Sequence, residues 1–204
     1  MSRYKLIDLT EFPEIPDKKP FVVTFKNCNF QKLNLESYNI GTCYFENCQI
    51  VEPLIINCNY LIIKNSNIKL SEHIKVDNLW IQCPEYTFDS KIEVISFIIS
   101  DSIIKGIHNI DYKECRIYIE NINENLLNMI INEDLFKDKH THYDLCVSSR
   151  YKDKMYNFIY SYLDYNITGD CGLVCFDTLR NSFKKIKLIK AVEALQKKLK
   201  NGIY

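Results

Sequence analysis

The amino-acid sequence predicts an α+β repeat protein: a β-solenoid of parallel strands over residues 20–123, preceded by an N-terminal cap at 1–19 and followed by a helical C-terminal region at 124–204. Three observations predict it. Apolar residues recur every 18–20 residues in the first half of the chain. A column of small polar residues follows them at a fixed distance. After Glu124 the apolar spacing changes from that of a strand to that of a helix.

Six segments align on the anchors Phe25, Phe45, Ile63, Ile81, Ile99 and Ile119, at intervals of 20, 18, 18, 18 and 20. Two residues before each anchor stand Val23, Cys43, Leu61, Leu79, Phe97 and Ile117; five after the first five stand Phe30, Ile50, Ile68, Tyr86 and Ile104. Residues at −2 and 0 share one face of a short strand, and stacking coils about 4.8 Å apart makes that face a continuous apolar core. Position +2 reads Asn27, Asn47, Asn65, Cys83, Asp101 and Asn121, and +3 reads Cys28, Cys48, Ser66, Pro84, Ser102 and Ile122. Small polar side chains there are expected to bond the backbone groups that the turn leaves unpaired.

These columns resemble the leucine-rich repeat family, whose core is L-x-x-L-x-L-x-x-N/C-x-L. Val23-x-Phe25-x-x-Cys28-x-Phe30, Cys43-x-Phe45-x-x-Cys48-x-Ile50 and Leu61-x-Ile63-x-x-Ser66-x-Ile68 carry the resemblance, over about half the chain. The short period and the Ile-, Asn-, Lys- and Tyr-rich composition are similar to short variants in bacterial effectors and large DNA viruses, insect poxviruses among them. Ile and Phe replace most leucines, Pro84 and Ile122 stand at the Asn/Cys position, and the sixth copy has Glu124 at +5. A second register is also open. Residues 31–60 fall into blocks of ten, which implies two strands per coil, as in a β-helix.

Outside the repeat, Ile7, Leu9, Phe12 and Ile15, with Pro13, Pro16 and Pro20, read as a cap over the first coil. Leu126–Leu135 and Tyr151–Tyr165 have helical spacing. So does the segment from Asp177, a good N-cap, through Leu179, Phe183, Ile186, Ile189, Val192, Leu195 and Leu199 to Asn201-Gly202. From Leu179 to Lys200, eight Lys/Arg stand against one Glu, although the whole chain has a formal charge of zero. Arg180, Lys184, Lys185, Lys187 and Lys190 of that basic helix read first as a solvated face. Their alternative is a surface for nucleic acid or an anionic membrane.

An apolar content of 47% excludes a disordered chain. No leader-like or membrane-spanning apolar run is seen, so the nine cysteines are expected to be reduced thiols in a cytoplasmic protein, host cytoplasm if the origin is viral. His140, His142, Cys146, Cys171 and Cys175 are a set that zinc could use, but they contain no CxxC pair, and no metal or cofactor is expected. Cys28, Cys43, Cys48 and Cys58 fall on the repeat grid as core and ladder residues. No phosphate-loop, zinc-protease or nucleophile-elbow motif occurs, and His73 and His108 neighbour no nucleophile motif, so an enzyme is not expected.

If the anchors face inward, position −1 faces outward: Thr24, Tyr44, Ile62, Trp80, Ile98 and Tyr118. Position +1, which includes Lys64 and Gln82, forms a polar column beside it. A large apolar stripe on an open sheet, with the only tryptophan at its centre, marks an interaction surface. The function expected is a non-enzymatic interaction module that docks another protein (a host protein if viral) through Tyr44, Ile62, Trp80, Ile98, Tyr118, Lys64 and Gln82. Cover by the C-terminal helices and pairing of two copies are the competing explanations of the stripe.

Overall fold

The computed structural model describes residues 2–15 and 20–119, and the backbone of 142–147 and 173–176. Its strands are β1 (Ser2–Ile7), β2 (Phe21–Lys26), β3 (Asn29–Phe30), β4 (Asn34–Glu46), β5 (Gln49–Lys64), β6 (Asn67–Leu70), β7 (Lys75–Gln82), β8 (Glu85–Thr87), β9 (Ile92–Ser100), β10 (Ile103–Lys105), β11 (Ile110–Ile119), β12 (His142–Val147) and β13 (Leu173–Phe176). The main sheet runs β1-β2-β4-β5-β7-β9-β11-β12-β13, with every pairing parallel except β12–β13. This is a parallel-strand β-solenoid of about six turns.

The inward rows are those read from the repeat. Val23, Cys43, Leu61, Leu79 and Phe97 form one row, and Phe25, Phe45, Ile63, Ile81 and Ile99 the next; all are fully buried. The Phe25 and Phe45 rings lie 4.8 Å apart and 8° from parallel, so the side chains stack at the spacing of the backbone ladder. Phe30, Ile50, Ile68, Tyr86 and Ile104 line a second side, through β3–β5–β6 and β8–β10. A third side was not anticipated. Leu35, Ile56, Ile74, Ile92 and Ile110 are buried there, the last four at intervals of 18. Each coil therefore carries strands on more than one side, as the ten-residue register implies.

The turn column has a different meaning from the one expected. Asp8, Asn27, Asn47, Asn65 and Asp101 all have positive φ, between 46° and 56°. Asn and Asp tolerate this left-handed region better than other side-chain-bearing residues. Each donates its backbone N–H to the carbonyl of the next coil, on Lys26, Glu46, Lys64, Gln82 and Tyr118 respectively, at 2.9–3.1 Å. Asp8 also shows that the repeat begins in the segment read as a cap: β1 pairs in register with β2, and Tyr4 and Leu6 continue the two inward rows.

At +2 one side-chain pair bridges adjoining coils, Asn47 Nδ2 donating to Asn27 Oδ1 at 3.3 Å, and position +3 bonds the turn backbone. Ser66 Oγ donates to the Lys64 carbonyl at 2.7 Å and accepts the Cys48 N–H at 2.9 Å. Cys48 Sγ makes the same pair of contacts one coil earlier, to Glu46 O at 3.3 Å and from Cys28 N at 3.4 Å. In the fourth coil Pro84 has no N–H, so Cys83 replaces it and donates to Ser102 Oγ at 2.9 Å. Ser66→Ala should therefore cost about 1–3 kcal/mol, because the buried Cys48 N–H loses its acceptor, whereas Ser66→Cys should be nearly neutral. Chemical denaturation of the two variants checks this.

Two sequence expectations change at the C-terminal end. The sixth coil is displaced by two residues: β11 places Ile117, not Ile119, opposite Ile99, and Cys115 opposite Phe97. Residues 142–147 and 173–176, within the region expected to be helical, are strands that extend the ladder beyond residue 123. The remaining helical expectations, including Leu126–Leu135 and Asp177–Asn201, lie outside the described residues. Among the described residues, no helix is long and apolar enough to cross a membrane.

Candidate interaction surface

The pleat that buries the anchors places Tyr44, Ile62, Trp80 and Ile98 side by side on the outer face of the main sheet, in direct register. The row continues to Thr24 and Lys5 at one end and Arg116 at the other. Tyr118, expected at the end of this row, stands instead in the neighbouring column opposite Ser100, because of the displaced sixth coil. It still reaches the stripe. Its ring stacks on Trp80 at 6.0 Å with an interplanar angle of 26°, and Trp80 Nε1 donates to Ser100 Oγ at 3.0 Å. Trp80 thus lies across the sheet, pinned at its polar edge and stacked against Tyr118. All five stripe residues are half-buried.

The column beside the stripe carries the charge. Glu46 sits between Lys26 at 3.3 Å and Lys64 at 3.1 Å, one on each adjoining coil. The Lys64 hydrogen bond holds the Glu46 carboxyl below its usual range, and the same bond raises the Lys64 ammonium. Both groups therefore stay ionised at neutral pH. Gln82 follows them in the same row. The face is an apolar row bordered by an ordered run of cation, anion, cation and amide.

The six cysteines among the described residues are free and buried. Burial pushes the Cys43 thiol well above its ordinary value and, with Asp77 nearby, raises Cys58 to about 12. Cys48 and Cys83 are raised by burial as well. Cys48, Cys58 and Cys83 also hydrogen-bond through Sγ, and burial keeps Cys43, Cys48, Cys58 and Cys83 as thiols at neutral pH. Among the described residues no group of three or more His, Cys, Asp or Glu is arranged to hold a metal ion. The side chains of His140, His142, Cys146, Cys171 and Cys175, and the basic residues Arg180, Lys184, Lys185, Lys187 and Lys190, lie outside the described residues.

A second surface feature escaped the sequence reading. Ile95, 48% exposed, lines an open groove of about 750 Å³ that crosses β4, β5, β7, β9 and β11. Alternation along single strands did not mark it, because its lining comes from successive coils. Outward positions repeating every 18 residues (Asn57, Lys75, Glu93 and Asn59, Asp77, Ile95) were the available signal.

Comparison with protein-family models, curated proteins and solved structures finds no match for this chain. The class defined here, a parallel-strand β-solenoid repeat protein, rests on the ladder itself.

Proposed function

We propose that this chain is a non-enzymatic interaction module that docks a partner protein on the outer face of its main sheet. The observation that carries the reading is the row Tyr44–Ile62–Trp80–Ile98, with Tyr118 stacked against it. A flat aromatic and aliphatic strip on a rigid sheet matches the composition of binding hot spots, and the Lys26–Glu46–Lys64 run gives it a polar rim. Tyr and Trp supply large contact areas while losing little side-chain entropy. Lys64 and Gln82 belong to that rim.

The finer placement follows from the same rows. Short leucine-rich repeats account for the −2, 0, +3 and +5 columns. The second and third strand columns favour a β-helix, and we place the chain with solenoids of that kind. A cytoplasmic location and a viral origin with a host protein as partner agree with the reduced thiols and the composition. The charge density of 179–200 supports a second reading, in which a basic helix binds nucleic acid or an anionic membrane.

The test is capture of partners by the intact protein and by an Ile62→Asp/Ile98→Asp variant, followed by titration of the purified partner. A partner retained by wild type and lost by the variant, with an unchanged melting temperature and little salt dependence, is the expected result. Binding that survives the variant but collapses as salt rises transfers the function to the basic segment. Concentration-dependent dimerisation of wild type, abolished in the variant, makes the stripe a homo-oligomer interface instead.

A further inference from the structure

We propose that the open edge of β1 accepts an extended acidic segment of a partner protein as one further strand of the main sheet. Among the described residues β1 pairs with β2 alone, in parallel register from Ser2 to Ile7, so its other edge ends the sheet. Successive residues of a strand turn their backbone groups to opposite sides. The Asp8 N–H donates to the Lys26 carbonyl at 3.0 Å, and the Leu6 carbonyl accepts from Cys28 Sγ at 3.5 Å, so the even-numbered residues face β2. Arg3, Lys5 and Ile7 therefore direct their N–H and C=O groups to the open edge. A row of such groups is a template for one more strand.

The two faces of β1 specify alternate side chains of the incoming segment. Tyr4 and Leu6 continue the inward rows but are only partly buried, whereas Val23 and Phe25 beside them are fully buried. Apolar residues next to Tyr4 and Leu6 extend that core by one strand. On the outer face stand Arg3, Lys5 and Ile7, all exposed, and their neighbours on β2 are Val22, Thr24 and Lys26. The outer face of this edge therefore carries positive charge and no acid. Where the protein's own strands stack, opposite charges meet in register: Lys26 beside Glu46, and Glu46 beside Lys64. Asp or Glu beside Arg3 and Lys5 repeats that contact.

The same charges disfavour a second copy of this chain. Two β1 strands related by a two-fold axis pair antiparallel about one central residue. The centres that overlap most of the strand are Arg3, Tyr4 and Lys5. They set Arg3 against Arg3, Arg3 against Lys5, and Lys5 against Lys5 in turn, and like charges directly opposite are destabilising. The basic segment 179–200 has the wrong sign for this edge as well. An acidic, alternating segment of another protein meets both requirements.

The probes are two acetylated, amidated peptides of about six residues, one alternating Glu with Val and the other Lys with Val, titrated into the full chain by calorimetry. The glutamate peptide is expected to bind with Kd at or below about 1 mM, and the lysine peptide at least about tenfold more weakly. Arg3→Glu/Lys5→Glu is expected to reverse that order with the melting temperature held. Ile7→Pro keeps both cations and removes one outward N–H, and is expected to weaken the glutamate peptide by at least about tenfold. In hydrogen exchange the Arg3, Lys5 and Ile7 amides should be unprotected in the free chain and gain protection when that peptide is added. No binding of the glutamate peptide, binding indifferent to the charge reversal or to Ile7→Pro, protection of these amides before peptide is added, or dimerisation that the peptide displaces overturns the proposal. The site uses neither Ile62 nor Ile98, so the Ile62→Asp/Ile98→Asp variant should bind the peptide as wild type does, and failure here leaves the stripe reading untouched.

Discussion

Phe45→Ala is expected to destabilise the solenoid by about 3–5 kcal/mol, which for a chain of this size lowers the melting temperature by roughly 6–20 °C. Phe45 is fully buried, and its ring stacks face to face on Phe25 at 4.8 Å. The cavity left behind cannot close, because β4 is held in register by β2 on one side and β5 on the other. Phe45→Leu keeps most of the volume and should cost under about 1.5 kcal/mol. The loss should also be local in its consequences. Each coil touches only its neighbours, so weakening β4 uncouples β1 and β2 from the rest. In hydrogen exchange, amides of β1 and β2 should lose protection before those of β7 and β9. A shift of less than about 2 °C, or a uniform loss of protection, would contradict this account of the core.

Much of that core was legible because strand alternation and an 18-residue period act on the same residues. Wherever a coil keeps its length, as from Phe45 to Ile99, spacing alone places the inward side chains. It fails where the length or register changes. The sixth coil aligns equally well on Ile117 or Ile119 by apolar character, and only the pairing of Ile99 with Ile117 decides between them. That choice moved Tyr118 out of the stripe's row while leaving it in contact with Trp80. The third inward side was present as Ile56, Ile74, Ile92 and Ile110. It has no counterpart at that spacing in the bulged second coil, where Leu35 fills the position.

The polar columns show a different limit. Asn at +2 is compatible with a side-chain ladder and with a left-handed backbone, and residue identity does not separate the two. The structure shows both: Asn27, Asn47 and Asn65 take positive φ where the chain turns, Asn47 Nδ2 also donates to Asn27 Oδ1 on the adjoining coil at 3.3 Å, and the serine or cysteine one position later bonds the backbone from coil to coil. The stripe could be read from single strands. The groove could not, because its lining comes from β4, β5, β7, β9 and β11 together and meets the β4 bulge at one end.

Gly106→Ala is expected to cost about 3 kcal/mol or more, close to the core truncation, although it adds one methyl group near the surface. Gly106 has φ 68° and ψ 31° and begins the short 3-10 turn Ile107–Asn109, which carries the chain from the second side to the third. A side chain in this region costs roughly 1–2 kcal/mol by itself. Here a Cβ would also lie well inside contact distance of the Phe88 carbonyl oxygen. That oxygen cannot withdraw freely, since it accepts the Asn109 amide at 2.8 Å and the Phe88 N–H is bound to Lys105 O at 3.0 Å. The clash separates this position from the other left-handed residues. At Asn65 glycine should be tolerated within about 1 kcal/mol, because glycine adopts the same positive φ freely. At Gly106 asparagine should fail nearly as badly as alanine, because its tolerance of positive φ does nothing for the Cβ. Urea denaturation of Gly106→Ala, Gly106→Asn and Asn65→Gly distinguishes the cases. If Gly106→Asn proves close to wild type, backbone conformation rather than contact with Phe88 is what requires glycine at this corner.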